Sequence, residues 1–295
     1  MNAATAFDYA DFTQRNIGFV SEAEQVRLRH TQVFVCGVGG MGGACLQSLV
    51  RAGVSRVAIA DIDRFEVSNL NRQVFAFLDT VGVDKVVAAQ HQIHQINPTA
   101  QVETYGGDWI ERLDDLLPHH RIVVNGMDDV ASGVQLYRKA RDHGATVIDA
   151  YASPLPSVTV VGPQDPRPED RLGFPTRGLA WTDITPAIAA QCGLREIAYV
   201  MTHSSSRRHI DMAIAAEFLA GKRNRMSFAP MVITTGNLMC FEAINLALGR
   251  ASGADCRGYF FNPWTATIER PKVGPAAWIA GAMVRRVLQR MTDGR

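Results

Sequence analysis

The sequence predicts an α/β protein built on a doubly wound, mostly parallel sheet, with helices on both faces and an additional C-terminal β/α extension. Two observations lead to this prediction. Short apolar runs of strand character alternate with helical segments over the first 150 residues, at the spacing of parallel β-α-β units. A glycine cluster, Gly37 to Gly43, directly follows the first of these runs and opens an apolar helix.

The predicted elements of the first half follow one another regularly. Ser21 and Glu24 have the spacing of a capping box, so a helix is predicted over residues 20–30. Further helices are predicted at 41–52, 83–96 and 130–143, and strands at 32–36, 56–61, 101–105, 121–125 and 145–150. Gly53, Pro98 and Gly144 end three of the helices.

The pattern changes after about residue 154. Residues 162–178 contain four prolines and several charges, which is typical of a connector. Helices are predicted at 187–195, 210–219, 230–248 and 276–291, with two strands at 257–262 and 265–270. We predict an N-terminal helix and a nucleotide-binding, Rossmann-like region in residues 1–161. Residues 162–295 then supply the connector, the substrate and dimer contacts and the C-terminal helices, in one continuous domain with the first.

Composition excludes several classes of protein. The formal net charge is +1, which gives no electrostatic case for nucleic acid or an anionic membrane as the main partner. The five cysteines are an odd number without a CxxC pair, which argues against a disulfide framework and a paired-cysteine zinc site. No signal peptide and no run of 18 apolar residues are visible, so we expect a cytoplasmic protein without a transmembrane segment.

The glycine cluster has the chemistry of a phosphate-binding turn. Gly37, Gly39 and Gly42 form the G-x-G-x-x-G pattern, with Gly40 beside them. Glycines allow a tight turn and let backbone N–H groups approach phosphate oxygens, while the following helix N-terminus favours negative charge. Asp61 ends the next predicted strand, where a carboxylate binds ribose hydroxyls. These features predict a nucleotide site; alone, they fit NAD as well as ATP.

Three further residues favour adenylyl transfer over hydride transfer. Arg72 and Lys85 follow the second strand, and Asp128 follows the fourth. When a carboxylate attacks an α-phosphate, charge develops on the phosphoryl oxygens and on the leaving pyrophosphate, and fixed cations and Mg²⁺ stabilise it. A single carboxylate is often enough to hold Mg²⁺, which keeps most of its waters. A dehydrogenase has no use for this combination.

The combined motif resembles the adenylation domain of the ThiF/MoeB/HesA-like family, within the ubiquitin-activating enzyme superfamily. It consists of G-x-G-G-x-G, then D-x-D-x-x-x-V-S-N-L-x-R-Q from Asp61 to Gln73, then V-G-x-x-K ending at Lys85, and the acidic pair at 128–129. The resemblance covers about half of the chain, residues 15–150. It implies ATP and Mg²⁺ as cofactors, with the ribose on Asp61 and Mg²⁺ on Asp128.

The resemblance also implies which other residues contact the nucleotide. Asn69, Arg72 and Lys85 would contact the phosphates, and Gln73 belongs to the same motif. Asp63 is either a surface residue of the loop or a support for the site. Arg15 resembles an arginine that this family supplies to the ATP site of the neighbouring subunit, which would make the protein a homodimer. Asp129 is the alternative to Asp128 as the metal ligand.

The chain departs from the family in its cysteines. Many members carry two CxxC pairs that bind a structural zinc, and this sequence has none, so no zinc is expected. Some members transfer the acyl group to a cysteine. Cys192 lies in the region where such a residue occurs, but a buried, inert cysteine is the interpretation that we favour.

Three functions remain open from the sequence. The first is ATP-dependent activation of a carboxylate as an acyl adenylate, with release of pyrophosphate. The acid would be the C-terminus of a ubiquitin-like or sulfur-carrier protein, a peptide or a small acid. The second is an NAD-dependent oxidoreductase, which leaves Arg72, Lys85 and Asp128 without roles. The third is a catalytically inactive nucleotide-binding scaffold.

Overall fold

A single eight-stranded sheet forms the centre of the molecule. The computed structural model describes residues 6–292, with side chains up to residue 289. The strands are β1 (Gln32–Cys36), β2 (Arg56–Ala60), β3 (Gln101–Tyr105), β4 (Ile122–Asn125), β5 (Thr146–Asp149), β6 (Ser157–Val161), β7 (Tyr259–Asn262) and β8 (Thr267–Glu269). Their order is β3-β2-β1-β4-β5-β6-β7-β8. Strands β1 to β5 are parallel, and β6, β7 and β8 each join by antiparallel pairing.

Helices connect the parallel strands, and the C-terminal helices pack around them. They are α1 (Tyr9–Thr13), α2 (Glu22–His30), α3 (Gly40–Arg51), α4 (Lys85–Ile96), α5 (Leu113–Leu116), α6 (Val130–Asp142), α7 (Pro168–Arg171), α8 (Pro186–His203), α9 (Met212–Leu219), α10 (Ala229–Leu248) and α11 (Gly274–Thr292). The mostly parallel α/β architecture is therefore confirmed. The reversal of strand order between β1 and β4 creates the crevice where open α/β sheets bind ligands.

Local sequence signals predicted most helices and strands of the first half correctly. Ser21 and Glu24 form the predicted capping box at the start of α2, with the Ser21 backbone donating to Glu24 at 2.8 Å. Strands β1 to β5 and helices α2, α3, α4 and α6 begin and end within two residues of the prediction, whereas the short helices α1 and α5 were not predicted. Burial on both faces accounts for their nearly continuous apolar sequences.

The second half contains elements that the sequence analysis missed. Strand β6 was not predicted, although its Val-Thr-Val-Val run is β-branched and fully buried. Helix α8 extends eight residues beyond the predicted end, because no glycine or proline occurs between Arg195 and His203 to end it there. Helix α11 packs against α8 and α9. The division of the chain at residue 162 stays a prediction.

Helix α10 packs closely along α3. It is the one helix in the described part of the chain with the length and composition of a membrane span. Its contacts with α3 and with β4, β5 and β6 account for this apolar composition in a folded core. At Gly236, a Cβ atom would lie 2.5 Å from the Met41 carbonyl oxygen and 2.8 Å from the Cys45 nitrogen. The glycine therefore lets α10 approach α3, the helix that begins at the glycine turn.

We expect Gly236→Ala to lower the free energy of unfolding by about 1–3 kcal/mol, because the added methyl group meets α3 backbone atoms that cannot rotate away. Gly193→Ala is the matched control. It lies within α8, where a Cβ has no neighbour within 4 Å, so it should be neutral or stabilise the protein by up to about 1 kcal/mol. Urea denaturation of both variants measures the difference. Equal stabilities would mean that α10 and α3 separate easily.

Candidate nucleotide site

The turn between β1 and α3 is the base of the site. Gly37 has φ +82°, a conformation that favours glycine. At Gly42, a Cβ would lie only 1.9 Å from the Gly37 carbonyl oxygen, so any larger residue would break the turn. Gly126, just after β4, also lies against Gly37 and Gly42. The turn after β1 is thus in direct contact with the turn after β4, which carries Asp128.

Asp61 braces the glycine turn from the end of β2. Its carboxylate accepts from the Val38 backbone N–H at 2.9 Å and from the Asp63 N–H at 3.0 Å. Burial raises the pKa of Asp61, and the nearby Lys85 ammonium opposes that rise. Asp61 thus lies next to the glycines, at the carboxyl edge of the sheet. This position fits its predicted role in binding the ribose.

Lys85 is a buried cation at the start of α4. Its side chain is only 9% exposed, and its Nζ lies 2.8 Å from Asp63 Oδ2 and 3.9 Å from Asp61 Oδ1. The backbone fixes this arrangement, because the Lys85 N–H donates to the Asp63 carbonyl at 2.9 Å. Asp63, predicted either as a surface residue or as a support, is exposed and pairs with Lys85. Phosphate oxygens would provide Lys85 with a second set of acceptors beside the glycine turn.

The turn at Val67–Asn69 contributes the remaining residues of the motif. Asn69 is buried, and its Oδ1 accepts from the Glu66 N–H at 3.0 Å, so its amide oxygen holds the turn. Arg72 is half-buried, and its Nη1 donates to the Ser68 carbonyl at 2.8 Å and to Asn71 at 2.9 Å. Within residues 6–292, Arg72 forms no ion pair. Its positive charge is thus not neutralised by the protein.

Gln73 lies directly beside the phosphate turn. Its side chain is buried, and a Cβ at Gly39 would lie 3.6 Å from its Nε2. Its Oε1 is buried without a hydrogen-bond partner in the described structure. Buried polar atoms are normally paired, so an unpaired oxygen next to the glycines indicates a place where a bound molecule supplies the partner.

The two acidic residues after β4 have different environments. Asp129 caps α6, its Oδ2 accepting from the Ser132 N–H at 2.7 Å. Asp128 is exposed and makes no hydrogen bond or ion pair within the described residues. No cluster of three His, Cys, Asp or Glu side chains suited to a metal occurs in residues 6–292. The single free carboxylate of Asp128 still suits Mg²⁺. In sites where the phosphates of a nucleotide also bind the ion, the protein typically supplies only one or two carboxylates.

Asp149, at the end of β5, forms hydrogen bonds that link this strand to the end of β4 and to α6. It accepts from Asn125 Nδ2 at 2.9 Å, from the Tyr137 hydroxyl at 2.7 Å and from the Ala150 N–H at 2.6 Å. Asn125 Oδ1 in turn accepts from the Met127 N–H at 3.3 Å. This network fixes the turn that carries Asp128. Nothing in the sequence pattern singled out Asp149 or Tyr137.

A cavity of about 130 Å³ adjoins this network. It is lined by Met41 of α3, by Asp128 after β4, by Tyr151 after β5, and by Arg171 and Glu196. No motif or spacing in the sequence indicates Tyr151, Arg171 or Glu196 as site residues. They lie on three separate segments, so no spacing in the sequence relates them.

Cys192 is unsuited to nucleophilic attack in this structure. It is fully buried in α8, and burial raises the pKa of its thiol to about 11. A reactive cysteine needs an accessible thiolate. The position and environment agree with the buried, inert interpretation.

Arg15 lies far from the glycine turn of its own chain. It is exposed in the short helical turn Gln14–Asn16, and the neighbouring Asn16 donates to the Ala52 carbonyl at the C-terminal end of α3. The glycine turn is at the other end of this 12-residue helix, about 18 Å away. Arg15 therefore cannot belong to the nucleotide site of its own subunit.

The glycine turn, the strand-end carboxylate and the buried lysine define a nucleotide-binding α/β protein whose site lies at the switch point of the sheet. The ThiF family model matches residues 13–277, and the chain belongs to the ThiF family.

Comparisons with individual proteins agree with this assignment. The chain is 47% identical over 81 residues to the sulfur carrier protein adenylyltransferase of Thermus thermophilus, a match that covers 28% of this chain and 30% of the relative. The fold is similar to that of PaaA, with a TM-score of 0.61, 18% identity and coverage of 92% and 85% of the two chains. Escherichia coli MccB with ATP gives a TM-score of 0.60, with 16% identity and coverage of 84% and 66%.

The curated relatives are matched over only part of their length. The chain spans about a third of the Thermus protein and about half of the molybdopterin-synthase adenylyltransferase of Haemophilus influenzae. The similarity of the solved structures, at less than 25% identity, establishes the fold.

Proposed function

We propose that this protein is an ATP- and Mg²⁺-dependent adenylyltransferase that activates a carboxylate as an acyl adenylate. One observation carries the proposal. The glycine turn, with Asp61 and the buried Lys85 beside it, is in contact with the turn that presents the free carboxylate of Asp128. This combination suits a nucleotide triphosphate with its metal and gives a role to each charged residue of the motif.

In the proposed reaction, an oxygen of the substrate carboxylate attacks the α-phosphorus of ATP. The new P–O bond forms the acyl adenylate, and the bond to the bridging oxygen breaks to release pyrophosphate. Lys85 and Arg72 stabilise the charge that develops on the phosphoryl oxygens. Asp61 orients the ribose, and Asp128 would hold Mg²⁺, which supplies further charge neutralisation when bound. Asn69 contacts the phosphates, and Gln73 lies against the glycine turn beside them.

The acid in this proposal is the C-terminus of a ubiquitin-like or carrier protein, a peptide or a small acid. Support comes from relatives, since the Thermus protein is named for a sulfur carrier protein and MccB was crystallised with ATP and with MccA. We further propose a cytoplasmic homodimer. The position of Arg15 at the far end of α3 supports the dimer, because the role that the family resemblance implies for Arg15 requires a second copy.

Titration calorimetry of ATP with Mg²⁺ against NADH tests the proposal. We expect ATP to bind, and we expect Asp61→Ala to abolish this binding, since it removes both the ribose partner and the brace of the Val38 N–H. Asp79→Ala, an exposed acid in the same region, should bind ATP as the wild type does. If the alanine variant does not fold, Asp61→Asn replaces it in the titration, because the amide oxygen still accepts a hydrogen bond from the Val38 N–H.

The alternative outcomes are distinct. NADH binding without ATP binding would overturn the proposal and favour an oxidoreductase. Binding of neither nucleotide would refute the proposal, whereas ATP binding without pyrophosphate exchange for any candidate acid would favour the inactive nucleotide-binding scaffold. If ATP binds, ATP–pyrophosphate exchange in the presence of candidate acids identifies the substrate.

A further inference from the structure

The cavity beside the nucleotide site contains an arginine without a polar partner. Arg171 Nε and Nη1 are both buried with no hydrogen bond. The guanidinium stacks over two aromatic rings, 5.6 Å from the centre of Tyr151 and 5.0 Å from that of Tyr199. It has no ion pair within 4.0 Å among residues 6–292. A buried cation without an acceptor is costly, so this arrangement favours an anion that binds from outside.

The segment that carries Arg171 is firmly anchored. Glu169, two residues earlier, is 3% exposed and accepts from Arg138 of α6 and from Thr176. Arg138 also donates to the carbonyls of Thr176 at 2.9 Å and Leu179 at 2.7 Å. The connector is therefore clamped onto α6 on both sides of Arg171. Arg171 thus lies on a well-packed segment and not on a loose surface loop, and the packing leaves its guanidinium without a hydrogen-bond partner.

Five carboxylates line the cavity, and none of them forms an ion pair with Arg171 among the described residues. Asp149 already accepts three hydrogen bonds from protein groups. Glu196 accepts from the Ala152 N–H at 2.6 Å, and burial raises its pKa, which favours its uncharged form. Arg225, exposed where it lines the cavity, also forms no ion pair in the described part of the chain. No carboxylate oxygen of the described residues thus lies within 4.0 Å of either guanidinium, although the lining as a whole is acidic.

The cavity continues from the reaction site toward β5. The glycine turn follows β1, Asp128 follows β4, and Tyr151 follows β5, in the order of the sheet. Neighbouring strands are about 4.8 Å apart, so the end of β5 is about 10 Å from the glycine turn. Nucleotide anchored on Asp61 lies on the other side of that turn, over β2. The part of the cavity near Arg171 therefore faces the substrate that attacks the nucleotide.

We propose that Arg171 binds a second carboxylate of the activated acid, so that the substrate is a dicarboxylic acid or a peptide whose last residue is acidic. The assignment of this group to the activated acid rests on the proposed function. It narrows the substrate from any acid to one with two carboxylates. The charged guanidinium pairs with the distant carboxylate while the other carboxylate approaches the α-phosphate beside Asp128.

Binding of matched tripeptides to the nucleotide-free protein tests the proposal. The probes are glycyl-glycyl-glutamate and glycyl-glycyl-glutamine, which differ by one charge at nearly constant size. We expect the acidic peptide to bind at least tenfold more tightly. Arg171→Gln should remove this preference and leave the affinity for the glutamine peptide and for ATP unchanged. Arg177→Gln is the control, because Arg177 is in the same connector but exposed and paired with Asp170.

Each other outcome overturns the proposal. These are equal affinities for the two peptides, binding of neither, or a preference that persists in Arg171→Gln. Loss of ATP affinity in that variant with unchanged peptide binding would assign Arg171 to the nucleotide phosphates. If Arg171→Gln does not fold, Arg171→Lys should retain a smaller preference, since lysine keeps the charge but loses the planar donor array. A wild-type protein that binds no ATP would refute the proposed function and leave the peptide comparison valid.

Discussion

Replacement of Lys85 by alanine should slow adenylate formation about 10²- to 10³-fold, a loss of about 2.7–4 kcal/mol of transition-state stabilisation. The expectation follows from the position of the ammonium, which is nearly excluded from water and held beside the glycine turn by Asp63 and by its own backbone. Charge interactions are stronger at such a site than on the surface. The lysine is preorganised, so little free energy is needed to align it during the reaction.

The measurement is ATP–pyrophosphate exchange with an acid identified by the screen. Arg64→Ala is the control, because Arg64 is exposed, pairs with Asp84 at 2.8 Å and lies in the same loop. That exposed pair should contribute little, and the variant should exchange at nearly the wild-type rate. If Lys85→Ala costs tenfold or less, Lys85 assists ATP binding and does not stabilise the transition state.

Replacement of Asp128 by asparagine should abolish Mg²⁺-dependent turnover while the fold is retained. The side chain is exposed and has no partner among the described residues, so its removal breaks no hydrogen bond of the protein. Turnover as a function of Mg²⁺ concentration measures the effect, and thermal denaturation checks the fold. Excess Mg²⁺ should not restore the rate, because the neutral amide is a poor replacement for a carboxylate ligand.

The neighbouring residue provides a matched control. Asp129→Asn keeps an efficient helix cap and should change neither stability nor turnover. Asp129→Ala should lower the free energy of unfolding by about 1 kcal/mol through loss of the bond to the Ser132 N–H, with turnover retained. Undiminished turnover in Asp128→Asn would remove Asp128 from the metal site. Loss of turnover in Asp129→Asn, with turnover retained in Asp128→Asn, would mean that Asp129 and not Asp128 holds the metal.

The site residues differ in how well the sequence located them. Gly37, Asp61 and Lys85 lie on elements whose local signals are strong, and the parallel strands place them at one edge of the sheet. Arg72 and Asn69 belong to the same motif, but their side chains fold back onto their own turn, which no spacing rule indicates. The different environments of Asp128 and Asp129 were likewise decided by the capping geometry of α6.

By itself, the sequence determined the parallel α/β sheet, the phosphate turn and the family resemblance. These depend on periodicity, capping and short motifs, which act over a few residues. Only the tertiary structure decided the antiparallel addition of β6, β7 and β8 and the composition of the cavity. Its residues Tyr137, Arg171 and Glu196 lie on α6, α7 and α8, and the contact between Arg138 and Glu169 holds α7 against α6. Such contacts join residues distant along the chain, and no local pattern encodes them.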